Sequence, residues 1–215
     1  MPYSPVSGMV SRRAFEAQEL RRACTATGVG TDAGRAIRGL IYVTLYGMYE
    51  RSVADCVSTA ISLANTHAIS TASLKYGFTL FALRPDFDSF RAISHEKTWQ
   101  RGLALLQKVG SADAAHLECI FPADGSFMRP SQLKLIWELF GLSGDPWPTP
   151  RLIGRINELV AARNHIAHGS QSAGERGGMV SDSDMDDRIR DVESLCLHIV
   201  GCFGTQLKAA TDFVR

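Results

Sequence analysis

Hydrophobic positions recur at three- and four-residue intervals through most of the chain, in runs too long to be strands. The clearest run spans about Asp32 to Asn65, where Ile37, Leu40, Ile41, Leu45, Met48, Val53, Val57, Ile61 and Leu63 fall at helical spacing. β-Branched residues crowd its stretch from 40 to 46, but the length of the run decides for helix. Before it, Phe15, Leu20 and Ala23 stand among charged neighbours over residues 11 to 27, a weakly amphipathic helix that Gly28-Val29-Gly30 ends. Residues 1 to 10 hold two prolines and no apolar run, and are expected to form a flexible N-terminus.

The middle of the chain, residues 66 to 130, is less regular. Helical pieces are predicted near 70 to 83 and 96 to 109, separated by Arg84-Pro85-Asp86 and accompanied by Phe81, Phe87 and Phe90. Pro122-Ala123-Asp124-Gly125 reads as a turn, and Arg129-Pro130-Ser131 opens a short helix from Gln132 to Phe140, with Ser131 as its cap and Gly141 as its stop. The proline spacing from Gly144 to Pro150 forbids helix and predicts a connector. The next helix carries Ile153, Ile156, Leu159, Val160 and Ile166 on its buried stripe, with Gly169 placed to end it. Residues 169 to 181 are polar and rich in glycine, which predicts a mobile surface loop. A last helix starts near Ser181 or Ser183 and runs to about Phe213 on Ile189, Val192, Leu195, Ile199, Phe203 and Leu207. The acidic run at its start, from Asp182 to Asp187, suits capping and the helix dipole better than a metal cage. The pattern predicts an all-α chain, one domain over residues 1 to 215.

Composition changes this picture little. Hydrophobic residues make up 45% and charged residues 21%, ordinary for a globular protein. The formal charge of +1 argues against a broad duplex-binding surface, which gains its affinity by neutralising phosphates. It leaves room for a local basic cluster acting on a few nucleotides. The five cysteines are odd in number and form no CxxC pair, so neither a disulfide framework nor a zinc knuckle is expected, and no cofactor or metal is implied. No stretch approaches a membrane span, and the expectation is a cytoplasmic protein.

Chemistry concentrates in Arg163-Asn164-His165-Ile166-Ala167-His168-Gly169. Cleavage of RNA without a metal needs a base for the attacking 2′-hydroxyl and an acid for the departing 5′-oxygen, and histidine serves both near neutral pH. It also needs a cation on the charged phosphorane-like transition state, where the arginine fork can hold two oxygens. Arg163 and His168 fit those roles. Asn164 lies four residues before His168 and shares its helix face, whereas Arg163 lies five before it, about 140° around an ideal helix. One chain therefore offers one clear histidine. A symmetric dimer would bring two copies of the motif together, and His165 is the alternative second histidine. Other readings stay open at this point: a solvated basic helix end, and half of a metal site in His165-x-x-His168. Glu50, in Tyr49-Glu50-Arg51, is by default a solvated glutamate.

Three separated segments carry a family resemblance. Ile41 to Arg51 looks like the long helix of HEPN proteins in which an aromatic-Glu pair ends an apolar run. Pro130 to Leu142, ending in Leu-Gly-Leu, is similar to the short helix that precedes the motif in one bacterial branch, the MAE_28990/MAE_18760-like HEPN nucleases. Ala162 to Gly169 resembles that branch's Arg-Asn-x-Ile-Ala-His-Gly. The resemblance implies an antiparallel HEPN-like helical bundle, here with extra helices in the middle segment. It further implies a homodimer with its cleft at the interface, and a metal-independent endoribonuclease used as a toxin or in defence against phage, with RNA as substrate and a cognate antitoxin or inhibitor as a partner. On that reading Arg163 and His168 are the catalytic pair, Asn164 a polar helper and Glu50 a supporting acid. Some HEPN proteins are non-catalytic RNA-binding or assembly modules, the alternative reading here.

Overall fold

The computed structural model describes residues 1–90, 94–122 and 128–215; the turn expected at Pro122-Ala123-Asp124-Gly125 lies largely outside them. The described residues are all-α, with strand-like pairing limited to the isolated bridges Ser70–Ala114 and Leu74–Val214. Helix α1 spans Ser4–Thr27 and α2 spans Asp32–Thr66. The Thr31 hydroxyl caps α2 by accepting from the Gly34 N–H at 3.0 Å. The α2 boundaries match the apolar run, but its faces do not: Leu40 is exposed, while Arg38 and Gly39 are buried.

The N-terminus is not the flexible tail expected for residues 1 to 10. Pro5 sits in the first turn of α1, where the missing N–H costs nothing, and Tyr3, Val6 and Val10 are buried. The Tyr3 hydroxyl donates to the Leu207 carbonyl at 3.1 Å, fastening the start of the chain to the end of α9, Asp182–Gln206. At the other end of α1, Arg21 pairs with Asp182 at 3.0 Å and Asp186 at 3.1 Å, so α1 and α9 run antiparallel. Arg38 of α2 also meets Asp182, at 2.8 Å. The first acidic residue of the run thus holds two arginines, while Ser181 caps α9 by accepting from the Asp184 N–H. Helix α9 stops at Gln206, short of the expected Phe213. The chain then turns through the 3-10 segment Ala210–Phe213, and Phe213 is buried.

In the middle segment, the helix expected at 70 to 83 is split into a 3-10 turn, Thr71–Ser73, and α3, Tyr76–Ala82. Leu74 and Lys75 between them are extended, and the Lys75 N–H donates to the Phe213 carbonyl at 2.9 Å. Arg84-Pro85-Asp86 does not interrupt helix; it opens α4, Arg84–Phe90, because proline is tolerated in a first turn. Helix α5 spans His95–Val109. Helix α6, Pro130–Phe140, begins on Pro130 with Arg129 at the cap position, not with Ser131 as cap. It ends at Gly141 in the left-handed region (φ 59°), with the Leu142 N–H returning to the Trp137 carbonyl at 3.0 Å, a Schellman closure. Phe78 meets Phe140 and Phe213 edge-on at 5.2 and 5.1 Å, and Phe140 lies 5.4 Å from Phe203. This aromatic cluster joins α3 and α6 to α9 and the C-terminal turn.

Helix α7, Arg151–Ala167, lies against α9, with Arg151 and Arg155 on Asp191 and Glu158 on Arg188, an antiparallel pairing. Its buried stripe is Leu152, Ile156, Leu159, Val160 and Ala162; Ile153, expected there, is exposed. The glycine-rich stretch after it is not a mobile loop. It contains α8, Ala173–Gly178, opened by a capping box in which Ser172 accepts from the Glu175 N–H at 3.1 Å and Glu175 accepts from the Ser172 N–H at 2.7 Å. Its glycines serve close approach. A Cβ at Gly177 would overlap the Arg35 carbonyl oxygen, and one at Gly39 would overlap the Ala173 carbonyl oxygen, so α8 packs backbone to backbone on α2. The Gly177 carbonyl accepts from Arg38 Nε at 2.9 Å, locking the contact.

Candidate active site

Helix α7 ends where the motif predicts. His168 occupies the C-cap position at φ −90°, and Gly169 follows in the left-handed region at φ 69°. The His168 N–H donates to the Asn164 carbonyl at 2.9 Å and the Gly169 N–H to the Ile166 carbonyl at 3.2 Å, so the last turn is closed. The structure places Arg163, Asn164, His165 and His168 on this one helix end. Arg163 and Asn164 are half-buried, and both histidines are exposed.

Arg163 has a defined seat. Its guanidinium carbon lies 5.2 Å from the centroid of the Tyr46 ring, and its Nη1 donates to Asn164 Oδ1 over a long 3.4 Å. Tyr46 itself is buried; its hydroxyl donates to Glu50 Oε1 at 2.9 Å and accepts from the Met128 N–H at 3.3 Å. Burial first, and then Glu50, push the Tyr46 phenol up to about 12, against the opposing pull of Met128 and Arg163. Glu50 therefore reaches the arginine through Tyr46. Tyr46 was missed in the sequence, although its spacing of four before Glu50 on a helix would have suggested the pair.

His165 is engaged differently. Its Nδ1 lies 3.1 Å from Gln171 Oε1, and its carbonyl accepts from the Ser170 hydroxyl at 3.3 Å and the Gln171 N–H at 3.3 Å. It braces the turn after α7. No group of three His, Cys, Asp or Glu side chains among the described residues is placed to hold a metal, so His165-x-x-His168 finds no third ligand there.

One turn before Tyr46 stands Tyr42, also buried, whose hydroxyl donates to Glu158 Oε1 at 2.8 Å. Arg188 contacts the same carboxylate at 2.7 Å, Arg155 at 2.8 Å and Arg176 at 3.7 Å. Burial works to raise the Glu158 pKa, but the hydrogen bonds from Arg188, Tyr42 and Arg155 outweigh it, and the carboxyl sits below its ordinary value.

This all-α bundle, with long α2 and α9 at its centre and the Arg-Asn-His-Ile-Ala-His segment closing α7, is a HEPN-type fold. The family model of RiboL-PSP-HEPN matches residues 16–205, and the chain belongs to that family. The match carries the HEPN superfamily and does not name the MAE_28990/MAE_18760-like branch expected from the sequence. Membership points to a nuclease or RNA-related function. No curated protein and no solved structure matches the chain. No helix among the described residues is long and apolar enough to cross a membrane.

Proposed function

We propose that the protein is a metal-independent endoribonuclease that cuts RNA by attack of a 2′-hydroxyl on the adjacent phosphate. The observation that supports it most is the seat of Arg163 on the buried Tyr46 ring, at the same helix end as His168. Stacking fixes the plane of the guanidinium, and its fork of donors matches two phosphate oxygens as charge develops on them. A histidine takes the 2′-hydroxyl proton as the 2′-oxygen bonds to phosphorus. The bond to the 5′-oxygen breaks, and that oxygen receives a proton from a second acid. The products are a cyclic phosphate and a 5′-hydroxyl end.

His168 performs one of these transfers. A second copy of the chain, across a two-fold axis, supplies the other histidine, with His165 the alternative within one chain. Asn164 orients the site beside Arg163, and Glu50 supports it through Tyr46. On this reading the enzyme acts in the cytoplasm as a toxin or phage-defence effector, held in check by a cognate antitoxin or inhibitor.

The decisive experiment is cleavage of RNA by the purified protein with chelator present. Arg163→Ala and His168→Ala should each lower the rate about 10²- to 10⁴-fold. A 2′-deoxy residue at the scissile nucleotide should stop it. Activity abolished by chelator and restored by one divalent ion would replace this reading with the metal site at His165 and His168. Absence of cleavage, with RNA binding retained, would leave a non-catalytic module.

A further inference from the structure

The seat of Arg163 has a counterpart one turn earlier on α2. In the first, Tyr46 bonds a glutamate, Glu50, and carries a guanidinium, Arg163, over its ring. In the second, Tyr42 bonds Glu158 and carries Arg176 at 5.2 Å and Arg188 at 5.9 Å. Tyr42 and Tyr46 are four residues apart on α2, about 6 Å along the axis, close enough for neighbouring phosphates of one strand to address both.

The second unit is richer in cations than its ion pairs require. Arg155, Arg176 and Arg188 share Glu158, and Asp191 takes Arg155 together with Arg151. With Asp184 in Coulombic reach of Arg155 and Arg188, the positive charges still exceed the negative. Arg176 is the least committed: its contact to Glu158 is the longest of the three, and its buried Nε–H finds no acceptor among the described residues. A buried guanidinium donor without a partner costs stability, and a turn of the Arg176 side chain away from its long Glu158 contact would carry its donors to an anion at the surface. Arg176 lies on α8, joined to His168 by a short link, and along α7 the second unit's Glu158 precedes Arg163 on the side away from His168.

We propose that the Tyr42–Glu158–Arg176–Arg188 cluster is a second phosphate subsite, holding the backbone phosphate next to the one at Arg163. This rests on RNA as the ligand of the Arg163 site and not on its cleavage. It reconciles a chain of net charge +1 with nucleic-acid binding, because the cations are gathered at one place.

The test is binding of a short 2′-O-methyl RNA, which lacks the nucleophile, followed by fluorescence anisotropy across a salt series. Arg176→Gln should weaken binding several-fold and flatten the slope of log K against log salt by about 0.7, the value for one phosphate contact on a single strand. Arg176→Lys should restore most of the slope. Glu158→Gln should strengthen binding, the opposite sign to that of a purely structural ion pair, and a thermal melt on each variant separates folding from binding. Unchanged affinity and slope in a folded Arg176→Gln protein would overturn the proposal, as would weaker binding by a folded Glu158→Gln protein. Cleavage is scored separately: a protein that never cuts RNA but shows these shifts loses the nuclease reading and keeps the subsite.

Discussion

Helices α5 and α7 are nearly equal in length, 15 and 17 residues, and meet opposite fates. On α5 the apolar residues are cleanly segregated, with Trp99, Leu103 and Leu106 on one face. Yet none of its side chains is buried, and Trp99 is 86% exposed. On α7 charge and apolarity are interleaved, and the helix is fastened on several sides: a buried stripe toward the core, Arg151 and Arg155 on Asp191, and Glu158 on Arg188 and Tyr42. Amphipathic period makes a helix; specific partners fix it in place. The candidate chemistry sits on the helix whose polar residues are themselves held.

The contrast can be broken most forcefully from within α7. Ile156→Ala, at a fully buried position, should cost about 2–5 kcal/mol in chemical denaturation, because the cavity it leaves is enclosed. A loss below 1 kcal/mol would mean that α7 is not held by its core stripe. Gly177→Ala comes next. Its new methyl must push α8 from α2, at an expected cost of about 1–3 kcal/mol. A neutral result would show that the glycine-rich stretch is the loose loop its composition suggests.

Titration sharpens the comparison further. The Glu158 carboxyl is lowered in the folded protein, so its contribution to stability is present above its ordinary value of 4.5 and lost as pH falls through the folded value. The stability gap between wild type and Glu158→Gln should therefore shrink in acid. At the alkaline end Tyr46 acts with the opposite sign. Raised from 10.0 to about 12, it favours the fold below pH 10 and loses that contribution as pH climbs toward 12; Tyr46→Phe should remove this share of the alkaline limb and leave those of the other raised tyrosines, Tyr3, Tyr42 and Tyr49. The smallest effect belongs to α5: Trp99→Ala should change stability by less than about 0.5 kcal/mol, and a larger loss would reveal packing for this side chain in solution.

What was legible in the chain follows the same division. The long helix α2 could be bounded because apolar positions recur at helical spacing from Ile37 to Leu63, beyond the stop at Gly28-Val29-Gly30. The end of α7 could be placed because Gly169 must take a positive φ. The motif was legible because its residues are adjacent in sequence. The glycines of α8 were misread because composition is the same for a loose loop and for a close helix contact. The Ser172-x-x-Glu175 capping box, and Gly39 far away on α2, distinguish the two. Residues 1 to 10 were misread because their two prolines outweighed the helical spacing of Tyr3, Val6 and Val10, which are buried where α1 packs on α2 and α9. Tyr46 and Tyr42 escaped notice as site residues because a tyrosine on an apolar helix is ordinarily core, and their arginine partners lie on other helices.

The docking of α8 has a consequence for the residue just before it. His168 stands on a link of a few residues between two anchored helices, α7 on α9 and α8 on α2. Such a tether has few conformations to lose, so the entropy of orienting the imidazole is spent during folding and not when a substrate arrives. On the proposed mechanism, loosening α8 would slow proton transfer without touching a single atom of the motif.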